Sequence, residues 1–178
     1  MKHNFLLILF LFILCVRTVH AETIYLTPQE ALKITFQDSQ EIISEKQTLT
    51  SEQKQILEKK IGRLSKDTWN FYLAKTNGQV DGYAIIDHEK GKMEPITFMT
   101  SINPDGTVKS VEILVYRETH GQEVHEKKFL KQYSGKKNSD PLRVGQDIKN
   151  ITGATISSHA VTLGVKRDLL IWNLFYGK

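Results

Sequence analysis

Between Thr68 and Tyr116, short apolar and polar alternations are cut at regular intervals by turn residues. The runs are WNFYLAK, GYAIIDHE, PITFMTSI and VKSVEILVY, and the cuts are Asn77-Gly78, Gly91 and Pro104-Asp105-Gly106. A strand repeats every two residues, and tight hairpins need residues that tolerate positive φ. This spacing therefore predicts three or four antiparallel strands joined by hairpin turns. In the last run Val111, Ile113 and Val115 alternate with Glu112, Leu114 and Tyr116, which predicts one strongly buried face. Such a face has to be covered. The C-terminus offers a cover, because Val161, Val165, Leu169 and Trp172 share one face of a helix after Thr155, with Thr162, Lys166 and Asn173 opposite. Phe129, Leu130 and Tyr133 precede it on a short helix ending at Gly135. The expected class is α+β: an antiparallel sheet with the C-terminal helix packed on it, preceded by a short helical N-terminal region.

Three segments are expected, 1–21, 22–67 and 68–178. The first opens with Lys2 and His3, runs apolar from Phe5 to Val16 and closes on Val19-His20-Ala21, the pattern of a secretory signal cleaved after Ala21. Its 12 apolar residues fall short of the roughly 20 that a membrane-spanning helix needs. Leu14 stands before Cys15 where lipid attachment calls for a small residue, so cleavage rather than acylation is expected. The second segment carries two helix starts. Thr27-Pro28-Gln29-Glu30 reads as an N-cap, a proline at the first helical position and the returning acid of a capping box, with the helix running to about Phe36. Thr50-Ser51-Glu52-Gln53 opens a second helix, with Ile56, Leu57, Ile61 and Leu64 on one face, after a β-prone stretch from Ile42 to Leu49. This charged N-terminal region shows no chemistry.

Charge and cysteine usage exclude several classes. Removing residues 1–21 takes away Lys2 and Arg17 and no acid, leaving 22 positive groups against 20 negative ones. Bases and acids are interspersed, so no footprint for nucleic acid stands out. The single cysteine, Cys15, leaves with the signal. The mature chain is then expected to have no disulfide, no thiolate-ligated iron–sulfur cluster, no C-x-x-C-H haem site and no cysteine nucleophile. Redox chemistry in such a chain requires an organic cofactor or a metal held without thiolates.

The most unusual stretch is Ile151-Thr152-Gly153-Ala154-Thr155-Ile156-Ser157-Ser158, where a loop turns into the last helix. One reading is plain capping, with hydroxyls accepting from the first backbone N–H groups and Gly153 easing a tight turn. The other is an anion site, because free N–H groups and the positive end of the helix dipole favour phosphate there. The small side chains of Gly153 and Ala154 let a bulky group lie against the backbone.

Thr152-Gly153-Ala154-Thr155 resembles the flavinylation motif of the FMN-binding domain found in periplasmic subunits of Rnf and Na+-translocating NADH:quinone reductase complexes. Tyr116-Arg117-Glu118-Thr119-His120-Gly121-Gln122 resembles that family's Glu-Thr-Pro-Gly flavin-contacting segment, and Phe129-Leu130 with Tyr133-Ser134-Gly135-Lys136 follows in the family's order. The likeness runs from about Tyr72 to Leu174. It implies FMN carried through a phosphoester on Thr155, with Thr152, Gly153, Ala154, Ser157, Glu118 and Thr119 around it. Tyr83 either borders the isoalloxazine, as the resemblance suggests, or is a strand aromatic of the core. The resemblance further implies a separate Mg2+-dependent flavin transferase using FAD, and a membrane redox complex or other electron-transfer protein as partner. Two departures stand out. Lys149 replaces an acid six residues before Thr155, with Asp147 two residues further back, and His120 replaces the usual proline.

Other constellations are weaker. His120, Glu123, His125 and Glu126 combine metal-ligand types at poor spacing and read as a solvated polar face. Ser157 or Ser158 beside His159 does not make a hydrolase, because adjacent helical residues point in different directions. Two classes remain open: an exported electron carrier with covalent FMN, acting as a redox-complex subunit rather than a stand-alone catalyst, and an exported non-redox module with a phosphate-binding helix cap.

Overall fold

A computed structural model describes residues 22–177. The signal segment and its cleavage point after Ala21 lie outside the described residues. The helix starts fall where local chemistry sets them. In α1 (Pro28–Thr35) the Thr27 hydroxyl accepts from Glu30 N at 3.2 Å, and the Glu30 carboxylate accepts from Thr27 N at 2.8 Å. In α2 (Ser51–Ile61) Thr50 and Gln53 make the same reciprocal pair. Each box satisfies two backbone donors that a helix start leaves free.

The strands are β1 (Thr23–Ile24), β2 (Glu41–Thr48), β3 (Thr68–Thr76), β4 (Gln79–Lys90), β5 (Pro95–Ile102) and β6 (Val108–Tyr116). They form one six-stranded sheet in the order β1-β6-β5-β4-β3-β2, antiparallel at every pairing, and the class is α+β. The expected hairpins are present. The N-terminal region contributes more than helices, because it supplies both edges of the sheet. β2 pairs with β3 along its whole length, from Glu41 opposite Lys75 to Thr48 opposite Thr68. Leu49, Leu57 and Leu64 then join the main core.

Both faces of the sheet are covered. On one, α1 packs Ala31, Leu32 and Phe36 on Ala74, Ala84, Met99 and Leu114. On the other lies α4 (Thr155–Phe175), after a short helix α3 (Lys127–Leu130) and a 3-10 turn (Lys131–Tyr133). Gly164 lets α4 close on β5, since a Cβ there would run into the Phe98 ring. Thr162, expected on the outer face of α4, is buried. The 3-10 turn covers that side of the helix, and the Tyr133 hydroxyl pairs with Thr162 Oγ1 at 2.8 Å.

Strand β6 departs from simple alternation. Thr97 pairs with Val115 and Phe98 with Ile113, so Leu114 is an extra residue, a β-bulge. The bulge reverses the side-chain phase. Val111, Ile113 and Tyr116 all face the α4 side, whereas Leu114 packs on the α1 side and its carbonyl accepts from Tyr25 N at 2.9 Å. The expected grouping of Tyr116 with Leu114 is corrected by this one residue.

A buried charge cluster ties α4 to β4. The Asp87 carboxylate accepts from Lys66 Nζ at 2.7 Å, Trp69 Nε1 at 3.0 Å and Arg167 Nη2 at 3.0 Å, while Arg167 also pairs with Glu89. Burial alone would raise the Asp87 carboxyl, but the Arg167 and Lys66 charges with these hydrogen bonds hold it below the ordinary range. The next residue, Asp168, is fully buried. One of its oxygens accepts from Thr100 Oγ1 at 2.7 Å and the other has no partner among the described residues. Burial and then the nearby Asp87 charge push its carboxyl well above the ordinary range.

Candidate functional site

The loop entering α4 is built as a sequence of backbone clamps. Gln132 accepts from Lys149 N at 2.7 Å and returns its amide to Lys149 O at 3.4 Å, fixing the chain one residue before Asn150. Ile151 to Ala154 then form a turn closed by Ala154 N donating to Ile151 O at 3.0 Å, with Gly153 at φ +88°. Only that third position of the turn needs a left-handed conformation, which glycine adopts without strain. Ala154 is the N-cap and no side chain caps it, so the plain capping reading of this hydroxyl-rich stretch is not what the geometry shows. The leading N–H groups and the dipole of a 21-residue helix face outward at Thr155.

Thr155 itself is exposed, and its Oγ1 accepts from Asn150 Nδ2 at 2.9 Å. Asn150 has no place in the sequence motif, and the four residues between it and Thr155 hide the link. Its only signal was an amide just before the hydroxyl-rich run. Thr152 and Gly153 are exposed on the turn, while Ala154 is buried beneath it. Lys149, with Phe129, Gln132 and Ile151, lines an open groove of about 490 Å³ beside Asn150. Lys128 and Lys149 outnumber the one acid on it, Glu126, which adds positive charge to a place already favourable to anions. The Asp147 carboxylate is engaged within its own loop. It accepts from Arg143 N at 2.8 Å and Leu142 N at 3.1 Å and pairs with Lys136 at 3.1 Å. Slight burial would raise this carboxyl, and the bonds from Arg143, Lys136 and Leu142 lower it overall.

The 117–121 loop adjoins this helix start. Tyr116, turned to the α4 side by the bulge, donates to His120 O at 2.5 Å and shares a hydrogen bond with Ser157 Oγ at 2.8 Å. Burial pushes its phenol above the ordinary value, so it stays a neutral donor. Gly121, at φ +87°, closes the contact: a Cβ there would lie 2.6 Å from Ser157 Oγ and 2.9 Å from the Tyr116 hydroxyl. The structure thus brings Gly121, Ser157 and the start of α4 together. Tyr116 is the residue that joins them, and sequence alternation had put it on the other face.

Glu118 has a different attachment from the one expected. Its Oε1 accepts from Met93 N at 2.6 Å and Glu94 N at 3.1 Å, holding the β4–β5 turn. Thr119 and His120 are exposed at the loop tip. His125 stacks on Tyr25 with ring centroids 4.4 Å apart and its Nδ1 bonds Gln122 O, and no group of three or more metal-ligating side chains is gathered among the described residues. Tyr83, one of the expected flavin neighbours, lies elsewhere. Its ring packs on Trp172 and Tyr176, at centroid distances of 5.6 and 4.7 Å, near the far end of α4. Trp172 follows Thr155 by seventeen residues, about 25 Å along the helix, which leaves Tyr83 half-buried against the core at the other end of α4 from Thr155.

Two curated relatives share part of the sequence. One belongs to a proton-translocating ferredoxin:NAD(+) oxidoreductase complex of Clostridium ljungdahlii, as one of its subunits, and is 34% identical over 105 residues, covering 54% of this chain and 56% of that one. The corresponding component of the Na(+)-translocating complex from Acetobacterium woodii is 30% identical over 111 residues, covering 57% and 54%. The chain thus spans about half the length of the curated relatives it matches. In fold it is similar to the crystal structure of NqrC from Shewanella oneidensis, with a TM-score of 0.50 at 16% identity over 74% of this chain and 67% of that one. Among the described residues no helix is long and apolar enough to cross a membrane. The matched family segment takes in β5, β6, the Glu118 loop, α3 and α4 as far as Leu169, and leaves Tyr83 outside: residues 91–169 of this chain match the model of the FMN-binding domain family.

Proposed function

We propose that the chain is an exported electron-transfer protein carrying FMN through a phosphoester on Thr155, and that it works as a subunit or partner of a membrane redox complex. The observation that carries this reading is an exposed threonine hydroxyl at the uncapped N-terminus of a long buried helix. The helix dipole and free N–H groups suit a phosphate at that position, and Asn150 holds the hydroxyl in place. Bound flavin supplies one- and two-electron chemistry, and the protein supplies attachment and orientation. Thr152 and Gly153 leave the approach to Thr155 open. Ser157 is turned inward to Tyr116, and so serves the loop rather than the ester.

Attachment needs outside help. A hydroxyl is a weak nucleophile at neutral pH and needs a base. The side chain bonded to Thr155 Oγ1 is an amide donor, which cannot take a proton, and the Asp147 carboxylate is held elsewhere. In the proposed reaction Thr155 Oγ attacks the FMN phosphorus of FAD. The new O–P bond replaces the pyrophosphate bond, AMP leaves, and the proton passes to a base of a Mg2+-dependent transferase. Peptide mass spectrometry on protein co-produced with such a transferase tests this. The Thr155 peptide carries the FMN increment, Thr155→Val abolishes it, and Ser157→Ala retains it. An unmodified Thr155 peptide, or flavin on another residue, overturns the covalent reading.

A further inference from the structure

The composition of the chain beyond residue 21 is close to neutral, yet its cations are not evenly placed. Lys60 at the end of α2, Arg143 in the loop before Asn150, and Lys166 on α4 converge on a groove of about 440 Å³. Its floor is apolar, made by Ile61, Leu142, Val144 and the partly exposed Leu163. No carboxylate lines it, and none of the three cations takes part in an ion pair among the described residues. Lys166 Nζ donates only to a neutral group, Pro141 O at 2.8 Å. An adjoining groove of about 390 Å³ shares the same three cations. The one acid on it, Asp140, turns its carboxylate back to Lys137 N at 2.7 Å.

Thr155, His159, Leu163 and Lys166 follow one another along a single face of α4, so the groove begins about one turn, or ~5 Å, from Thr155. Ile156, half exposed, continues the apolar surface toward that end. An apolar centre ringed by unpaired cations is the complement of an acidic protein surface. It offers desolvated contact area in the middle and charge attraction at the rim.

We infer that this face of α4, with Lys60 and Arg143, is a docking surface for an acidic protein partner. Its usefulness there rests on Thr155 being the flavin carrier, because a partner seated on it would lie next to the redox group. The binding itself does not depend on flavin.

The test uses the mature chain with and without flavin, titrated by calorimetry with an oxidised acidic ferredoxin as a defined probe. Saturable binding is expected at 20 mM salt, weakening about tenfold at 300 mM as the rim charges are screened. The Lys60→Glu, Arg143→Glu, Lys166→Glu triple variant should weaken binding at least tenfold, and the matching triple alanine variant less. A control of equal charge change, Lys33→Glu, Lys46→Glu, Lys92→Glu, should stay within about twofold. Flavin-free and flavin-loaded protein should bind alike, so loss of the covalent reading would leave this result intact. No saturable binding overturns the inference, as does equal weakening by both triple reversals, which would mean bulk charge alone. It also fails if inorganic pyrophosphate saturates the groove with the same three-residue dependence while leaving ferredoxin binding unchanged, which would make it a small-anion site.

Discussion

Tyr116→Phe keeps the ring that fills the core beneath α4 and removes the hydroxyl that joins the 117–121 loop to the helix start. That hydroxyl donates to His120 O at 2.5 Å and pairs with Ser157 Oγ at 2.8 Å. Ser157 is 4% exposed, and its Oγ has no second partner among the described residues. Stranding a buried hydroxyl costs about 1–3 kcal/mol. Ser157→Ala is milder, about 0.5–1.5 kcal/mol, because the Tyr116 hydroxyl still donates to His120 O. In the double variant nothing is left stranded at position 157, so its loss should fall short of the sum by about 1 kcal/mol. For a chain of this size 1 kcal/mol corresponds to roughly 2–4 °C in Tm. Tyr116→Phe is therefore expected to lower Tm by roughly 2–12 °C. Urea unfolding followed by tryptophan fluorescence and by circular dichroism reads the three variants, with coincident transitions checking two-state behaviour. Additivity within about 0.3 kcal/mol would refute the link between loop and helix.

Gly121→Ala forces a Cβ to within 2.6 Å of Ser157 Oγ at φ +87°, and should cost about 1–3 kcal/mol in urea titration, partly recovered in a Ser157→Ala background. Asp87→Ala strands Arg167, Lys66 and the Trp69 N–H, and a loss of about 3–5 kcal/mol should appear in thermal melts as a drop of roughly 6–20 °C. The two buried acids act oppositely with pH. The Asp87 carboxyl is lowered on folding, so its stabilisation is present above the unfolded value of about 4 and is lost as pH falls through the folded value. The Asp168 carboxyl is raised, so folding gains most below about pH 4 and loses that gain as pH rises through the folded value. Asp168→Asn should flatten the decline in urea midpoint above about pH 4, and parallel profiles for variant and parent would contradict that assignment.

What the sequence determined by itself is local. Both capping boxes depend on residues three apart, the hairpins on their own turn residues, and the strands of the central sheet on a two-residue period. Each was legible because the interacting groups are neighbours along the chain. The Thr155 region was legible in part, since a hydroxyl-rich turn before a long apolar helix is written in consecutive residues. Whether its hydroxyls cap the helix or face outward was not, because Ala154 became the N-cap through the turn closed on Ile151 O.

Tertiary structure decided the rest by choosing which distant segment covers which surface. The bulge at Leu114 lies where β6 pairs with β5 on one side and its carbonyl accepts from Tyr25 N on the other, and it turned Tyr116 to the site. Glu118 has the composition of a ligand contact, but the Met93 and Glu94 amides reach it first. Tyr83 resembles a flavin neighbour until α4 is laid along the sheet, which carries Trp172 to it and Thr155 far away. Asn150 and Asp147 lie three residues apart, yet one bonds Thr155 and the other is held by Lys136 and the 142–143 backbone. A side chain's type and period are fixed by its neighbours in sequence, whereas its hydrogen-bond partner is fixed by the competition among groups that packing brings within about 3 Å of it.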